Sequence, residues 1–417
     1  TIEVDGVQQT ATLAGGTYAW DDMPLVPANG ATDEQRQNIG KLLSDCGIAV
    51  NMSYAEEGSG ATMSMQRRAL LADFGYKQAV SYWPDKTDFD GTETDVLKNV
   101  MFANFDAGNA ILLSIPGHAI VADGYGYEGE TPFVHLNFGW GGGYDFWYNL
   151  PDMTAAGDKY NVVDGMNYNI FPDKGSMTAD DSYGTVAILS GRVLDDDGLP
   201  VAGMTVTVTK TESGEVVAEP VTDERGIWSA VLEEGIYNLW TITEDGQWLA
   251  EESNVDVYPP SGTDVGNSWG HDLQLVHPSV RFVADGVVSD PYSTLDRAIA
   301  AARVAAETAT DPIGIEILDV TQLKNPTEID FNCVLVATND NPYASAIVRP
   351  YEETCLIVTN GATFALSNVV FAESHEVPVE VRKGACVSVA GTVDFGIAYD
   401  RTALVTADAD GFVLSGP

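Results

Sequence analysis

The chain has 417 residues, which at roughly 150 residues per domain implies two to four domains. Its 20 Lys+Arg face 62 Asp+Glu, a formal charge of −42, which argues against wrapping a nucleic acid or lying on an anionic membrane, since both need clustered cations. The 45% apolar content is ordinary for a globular protein, no apolar run reaches the roughly 18 residues of a spanning helix, and four Cys exclude a disulfide-dense scaffold or a four-thiolate zinc cluster at finger spacing. Five His limit any metal-centred reading, and neither a metal nor a cofactor is expected. The chain opens on Thr1, without an initiator Met or a signal peptide, and reads as a processed chain or a fragment of a longer protein. Its acidity suits a secreted or salt-exposed protein.

Residues 1–174 mix helical and strand patterns. Thr32-Asp33 opens a segment with Ile39, Leu42, Leu43 and Cys46 on one amphipathic face, and Gly47 reads as its stop. Glycine and aromatics dominate from Gly117 to Trp147. Residues 175–184 are polar and small, as in a linker. Residues 185–277 read as all-β: Val186-Ala187-Ile188, Val193-Leu194 and the alternating Met204–Thr209 are separated by turns such as Asp195-Asp196-Asp197-Gly198, as in a sandwich. Residues 278–417 open with a helix-like run, Ser293 to Ala306, then become short β runs. Leu356-Ile357-Val358 returns as Val379-Glu380-Val381 after 23 residues, Asn360-Gly361-Ala362 as Lys383-Gly384-Ala385 after 23, and Val369-Val370-Phe371 as Val393-Asp394-Phe395 after 24. A third, less regular turn is read at Leu404-Val405 and Asp410-Gly411. Such a period suits a parallel β-helix, with Cys333, Cys355 and Cys386 as small thiols packed inside the coil. His375 is the only His of that region.

The densest chemistry lies in Gly117-His118-Ala119-Ile120-Val121-Ala122-Asp123-Gly124-Tyr125 and His135-Leu136-Asn137-Phe138-Gly139-Trp140-Gly141-Gly142-Gly143. A His at the start of an apolar strand, beside a strand ending in Asn and Trp, can serve as a general base. Its second ring nitrogen needs a partner to fix the tautomer; Asn137 offers an amide oxygen, and Trp140 can shield that bond from water. The alternative is that His118 and His135 are satisfied core histidines and that the glycines only permit tight strand ends.

Gly117–Leu150 resembles the histidine region of the streptopain-like cysteine peptidases, a papain-fold group of secreted bacterial proteases. Tyr18-Ala19-Trp20-Asp21-Asp22-Met23-Pro24, Leu42 through Tyr54, Gly58-Ser59-Gly60-Ala61, Ala69-Leu70 and Phe74-Gly75-Tyr76 extend the likeness over about residues 15–172. The resemblance implies His118 as general base, Gly117 as substrate-contacting backbone, and Ser59 and Gly60 as the lining of the non-primed cleft. Trp140 matches the second Trp of the family's Asn-Trp-Gly-Trp-Gly-Gly run, and Phe138 replaces the first, losing its indole N–H. The family's nucleophile motif, of Gly-Cys-Val-Ala-Thr type, precedes the Trp20 segment and has no counterpart in residues 1–19. Cys46 aligns with a plain apolar helix position and is expected to be a packing residue, so the nucleophile is expected upstream of Thr1.

Ser190-Gly191-Arg192-Val193, Gly198 through Gly203, Thr222 through Trp228 and Gly235-Ile236-Tyr237 resemble the carboxypeptidase regulatory-like β-sandwich. The Asp195–Asp197 cluster is read as a solvated turn in preference to a Ca²⁺ site. Pro291 through Ile299 resembles the capping-helix entry of a right-handed β-helix of pectate-lyase type. The expected architecture is therefore multidomain. A partial α+β papain-like domain spans 1–174, lacking the N-terminal helix with the nucleophile; an all-β sandwich spans 185–277, and an incomplete right-handed parallel β-helix spans 278–417. The expected function is that of a secreted, extracellular bacterial cysteine endopeptidase acting on protein or peptide substrates, with this chain inactive alone and the β modules as candidates for surface or glycan contacts. The rivals are a catalytically inactive surface-binding or adhesion protein reusing the fold, and a glycan-acting β-helix enzyme.

Overall fold

The computed structural model describes residues 1–24, 26–27, 30–89, 94–262, 264–339, 346–349, 355–372, 379–382, 384–391 and 393–395, and the backbone alone of 404–408 and 411–415. His375, Lys383 and Asp410 lie outside the described residues. The chain divides into two compact units, one of residues 1–193, 200–239 and 252–272, the other of 194–199, 240–251 and 273–417.

In the first unit, β1 (Ile2–Val4) pairs with β2 (Val7–Gln9) and, in parallel, with β3 (Ser53–Tyr54). Between them runs α1 (Asp33–Ala49), opened by a reciprocal capping box between Thr32 and Gln35. The helix does not stop at Gly47. A side chain there would place its Cβ 1.9 Å from the Tyr54 hydroxyl, so the glycine serves a close approach inside the helix. Nor is the Leu42–Cys46 face packed into the core: Leu43 is 64% exposed and Cys46 half-buried, whereas Asp45, Gly47 and Ala49 are buried. The Asp45 carboxylate accepts the N–H of Ala14 (2.7 Å) and of Gly15 (3.1 Å) and the Tyr18 hydroxyl (2.9 Å), tying the N-terminal segment to the helix.

Next come α2 (Met63–Ala72), β4 (Gln78–Tyr82), a π-helical run Val96–Phe102 that continues as α3 (Ala103–Asp106), β5 (Ile111–Ile115), β6 (His118–Glu128), β7 (Thr131–Asn137), β8 (Phe146–Tyr148), β9 (Met153–Ala155), β10 (Asp158–Tyr160) and β11 (Gly165–Phe171). Six strands form an antiparallel sheet in the order β4-β11-β5-β6-β7-β8. Period-two alternation sends Ile111, Leu113 and Ile115 of β5 and Val134 and Leu136 of β7 into a core with Val100, Met101 and Phe102.

That core is closed from far down the chain. Val265 belongs to it, and the Tyr168 hydroxyl donates to the Val265 carbonyl at 2.9 Å. A buried amide chain runs Asn104–Asn169–Asn267: Asn104 Nδ2 donates to Asn169 Oδ1 (2.9 Å), and Asn169 Nδ2 to Asn267 Oδ1 (2.8 Å), which also accepts the Ile188 N–H (2.8 Å). Asp106 accepts the hydroxyls of Tyr125 (3.0 Å) and Ser190 (3.2 Å). Burial pushes its carboxyl up to about 6 against the pull of those hydrogen bonds. The stretch expected as a linker is likewise pinned. Met177 is 6% exposed in the core, Arg67 donates to the Ala179 and Asp181 carbonyls, and Gln78 bonds Thr185 and Val186.

Strands β12 (Ala187–Leu194), β13 (Thr207–Lys210), β14 (Val216–Ala218), β15 (Ile227–Leu232), β16 (Gly235–Ile242), β17 (Leu249–Val257) and β18 (Ser268–Trp269) form two sheets, β15-β12-β18 and β14-β13-β16-β17. Asp195 folds its own acidic turn, accepting the N–H of Asp197 and Leu199. Among the described residues, no cluster of three or more His, Cys, Asp or Glu could hold a metal ion.

In the second unit, α4 (Leu295–Ala306) buries Leu295, Ala298, Ile299 and Ala302. Successive turns of chain then add strands to three parallel ladders. One runs Ile313–Ile317, Cys333–Ala337, Thr363–Ser367, Cys386–Ala390; the second Thr321–Gln322, Ile347–Val348, Phe371–Ala372; the third Thr327–Ile329, Leu356–Val358, Val379–Arg382. Leu356 pairs with Val379, and the Phe371 and Phe395 rings stack at 5.9 Å, so the sequence repeat coincides with the ladder register. Two details depart from the sequence reading. Gly411–Ser415 pairs antiparallel with Val379–Arg382 and with Leu404–Asp408, so that stretch closes as a hairpin and not as another parallel turn. Cys333 is buried inside, but Cys386 is exposed.

Two outcomes follow from this packing. Deleting residues 185–417 strips partners from Tyr168 and Asn169, so the truncated chain is expected to lose cooperative unfolding. In the full chain, Asn267→Ala should cost about 2–3 kcal/mol by orphaning the Asn169 amide and the Ile188 N–H; urea denaturation followed by near-ultraviolet dichroism measures both. For Asp45, burial opposes ionisation, but the N–H of Ala14 and Gly15 and the Tyr18 hydroxyl outweigh it and hold the carboxyl below its ordinary 3.8. The stability it adds is complete above that ordinary value and is lost as pH falls through the lower, folded one. The gap between wild type and Asp45→Asn in denaturation midpoint should therefore be widest near neutrality and narrow below about pH 4.

Candidate active site

The β5–β6 hairpin places the imidazole. Ile115 pairs with His118 across Pro116-Gly117, with proline and then glycine at the two central positions and Gly117 at φ +72°. His118 thereby stands at the start of β6, on the rim of a cleft of about 920 Å³. Ser59 and Gly60, in the loop between β3 and α2, line the same cleft, as does Gly117. Gly60 is fixed by paired backbone hydrogen bonds to Ser53, both 3.0 Å.

His118 Nε2 lies 2.8 Å from the Phe138 carbonyl oxygen. A carbonyl can only accept, so Nε2 carries the proton and neutral His118 leaves Nδ1 as its basic nitrogen. Nδ1 has no hydrogen-bond partner among the described residues. Trp140 stacks on the ring at 4.9 Å and 23°. It does so from the loop after β7, held by a bridge to Gly143, and not from a strand. Phe138 is fully buried, and its ring lies 5.2 Å from that of Trp140.

Asn137 does not touch the imidazole. Its Oδ1 accepts the Gly139 N–H at 2.8 Å, two residues along its own chain, and the backbone carbonyl of Phe138 occupies the position expected for the Asn amide. Asp145 Oδ1 accepts the Phe138 N–H at 2.9 Å. His135 points to the opposite face of the sheet, where its Nδ1 meets Asp123 Oδ1 at 2.6 Å beside Trp147. The structure thus gathers His118, Gly117, Ser59 and Gly60 around one cleft, sets Trp140 over the ring and leaves Asn137 one peptide removed.

The helical side of the cleft is apolar, with Leu43 and Cys46 of α1, Ala69 and Leu70 of α2, and Val50 and Phe74 just beyond their ends, whereas Tyr54, Ser114 and Asp164 add polar groups to its lining. Gln66 also lines it, and its Oε1 is shielded from solvent with no hydrogen-bond partner among the described residues. Cys46 Sγ makes no hydrogen bond to His118. Burial, and secondarily the charge of Asp45, pushes its thiol up, which lowers its thiolate fraction at neutral pH.

A second polar chain escapes sequence reading. Ser268 Oγ lies 2.7 Å from His271 Nε2, and His271 Nδ1 lies 3.0 Å from Glu252 Oε2. The order mimics a hydrolase triad, but the nearby N–H groups of Gly270 and His271 both donate to the Ser190 carbonyl and are not free to hold an oxyanion. It is a clamp on β12.

Thiol labelling checks these environments. At pH 8, iodoacetamide should modify exposed Cys386 first and Cys46 slowly; Cys333, whose thiol burial pushes up to about 12, should react only on unfolding. Mass mapping of the labelled peptides gives the order.

Residues 1–148 match the Peptidase C10 family. Over 157 residues the chain is 32% identical to the thiol protease/hemagglutinin PrtT of Porphyromonas gingivalis, covering 34% of this chain and 17% of that protein. Over 147 residues it is 29% identical to streptopain of Streptococcus pyogenes, covering 35% of this chain and 36% of that one. The matched region thus spans little more than a third of these relatives' length at most. Among solved structures, the active wild-type interpain A cysteine protease of Prevotella intermedia matches at 23% identity and a TM-score of 0.31, over 37% of this chain and 64% of that one. The N-terminal 150 residues or so carry the Peptidase C10 likeness, and the remainder is largely β. Among the described residues no helix is long and apolar enough to cross a membrane.

Proposed function

We propose that this chain supplies the imidazole and the cleft walls of a secreted cysteine-type endopeptidase that hydrolyses protein or peptide substrates, and that its thiol comes from a segment N-terminal to Thr1. The observation that carries the reading is the geometry of His118: Nε2 is committed to the Phe138 carbonyl, Nδ1 is left unbonded, and the residue lines a cleft. A free imidazole nitrogen there can take the proton of a thiol and stabilise the thiolate as imidazolium. Trp140 covers the ring and keeps water from the Nε2 bond. Gly117, Ser59 and Gly60 present backbone and a hydroxyl to an extended substrate.

The cleft itself supports a missing segment. Leu43 and Cys46 of α1 line it and leave an apolar surface uncovered. A helix bearing Cys at its N-terminus would cover that face and bring its own N–H groups to the oxyanion. The extracellular bacterial setting rests on the streptopain-like resemblance. The two sheets built from β12–β18 are read as a carboxypeptidase regulatory-like sandwich. The three-ladder coil is read as a right-handed β-helix that serves binding or spacing.

The rival reading, an inactive surface-binding protein, draws on one observation: no described thiol is bonded to His118. The two readings separate in one experiment. The 417-residue chain by itself should not turn over casein. The longer protein, with its natural sequence upstream of Thr1, should do so along a bell-shaped pH profile, and His118→Ala or thiol alkylation should lower turnover by about 10⁴-fold or more. Equal turnover by the His118→Ala protein would sink the peptidase reading.

A further inference from the structure

The bond that orients His118 has a second end. The Phe138 carbonyl that accepts from Nε2 and the Gly139 N–H that donates to Asn137 Oδ1 belong to one peptide group. A trans peptide is planar, with its N–H and C=O pointing in opposite directions. Asn137 and His118 therefore grip the same rigid plate from its two ends, at 2.8 Å each.

The plate is free to turn unless held. Gly139 sits at φ +72°, and a glycine tolerates both signs of φ, so the peptide before it can rotate about its flanking single bonds at little steric cost. Rotation by about half a turn would present the N–H to the ring in place of the C=O. His118 would then have to accept through Nε2 and carry its proton on Nδ1. The preceding peptide is anchored independently, by Asp145 on the Phe138 N–H and by the buried Phe138 ring. That leaves the Asn137 side chain as the group that decides which end of the plate faces the imidazole. Its hydrogen bond also polarises the peptide and strengthens the carbonyl as an acceptor.

We propose that Asn137 is a positioning residue that selects the Nε2-protonated tautomer of His118 through the Phe138–Gly139 peptide. It does the work of a direct amide–imidazole bond without contacting the ring. The proposal rests on the function proposed above only for its catalytic meaning; the tautomer itself is a property of this chain and needs no nucleophile.

The test uses the full 417-residue chain with ¹⁵N-labelled histidine. Long-range proton–nitrogen correlation spectra report the tautomer, and His118→Gln assigns the signal. Wild type should show neutral His118 protonated on Nε2. In Asn137→Ala the two ring-nitrogen shifts should converge, as the tautomers mix. Asn137→Asp keeps an acceptor at the same place and should restore the wild-type pattern. Asn137 is exposed at a strand end, so both variants should melt as wild type does. An unchanged tautomer in Asn137→Ala overturns the proposal. If that variant does not fold, a mixed tautomer in Asn137→Asp overturns it equally. The same spectra leave the peptidase reading untouched, since that reading stands or falls on turnover by the longer protein.

Discussion

An imidazole that meets a carbonyl through Nε2 must hold its proton there, and the Phe138 oxygen imposes this state on His118. The surrounding loop serves that one oxygen. The buried Phe138 ring sets its depth, Asp145 fixes the peptide before it, Asn137 the peptide that bears it, and Trp140 lies over the acceptor's partner. Each of these residues falls within residues 137–145, a stretch short enough for a single loop to define one ring nitrogen.

Position alone does not make a catalyst. His118 lines a cleft whose helical side carries the apolar side chains Leu43, Cys46, Ala69 and Leu70. Exposed apolar surface of that kind is costly unless covered. The same fact explains why α1 looks poorly packed on the face where its sequence is most helical in pattern. Leu43 and Cys46 belong to the cleft, while the buried side of the helix is held by the small residues Gly47 and Ala49 and by the hydrogen-bonded carboxylate of Asp45.

The parts legible in the sequence are those with a side-chain signature. Motif likeness points to the His118 strand, the glycine-rich loop, Ser59 and Gly60, of which His118, Ser59 and Gly60 line one cleft, and the 23-residue spacing of the coil can be read because Leu356 and Val379 stack in register. The rest was hidden for identifiable reasons. A backbone carbonyl has no letter of its own, so the Phe138 oxygen was assigned to the nearest amide side chain, that of Asn137. Gly47 carries the mark of a helix stop and that of a close approach alike, and only the Tyr54 hydroxyl distinguishes them. The hairpin direction of Gly411–Ser415 cannot be told from a parallel turn by its alternation, since both put every second residue inward. The amide chain Asn104–Asn169–Asn267 joins residues 65 and 98 positions apart, a separation at which polar residues leave no local pattern.

That amide chain also sets an order of events during synthesis. Val265 seals the core laid down by β4–β11, and Asn267 satisfies the last buried amide of β11. The ribosome delivers these residues about 95 positions after β11 ends at Phe171. Chains usually fold domain by domain as they emerge, the earliest first. Here the first core cannot close on its own schedule. The core that frames His118 is complete only with Val265 and Asn267 in place, so the site region and the β segment that follows it form one folding unit.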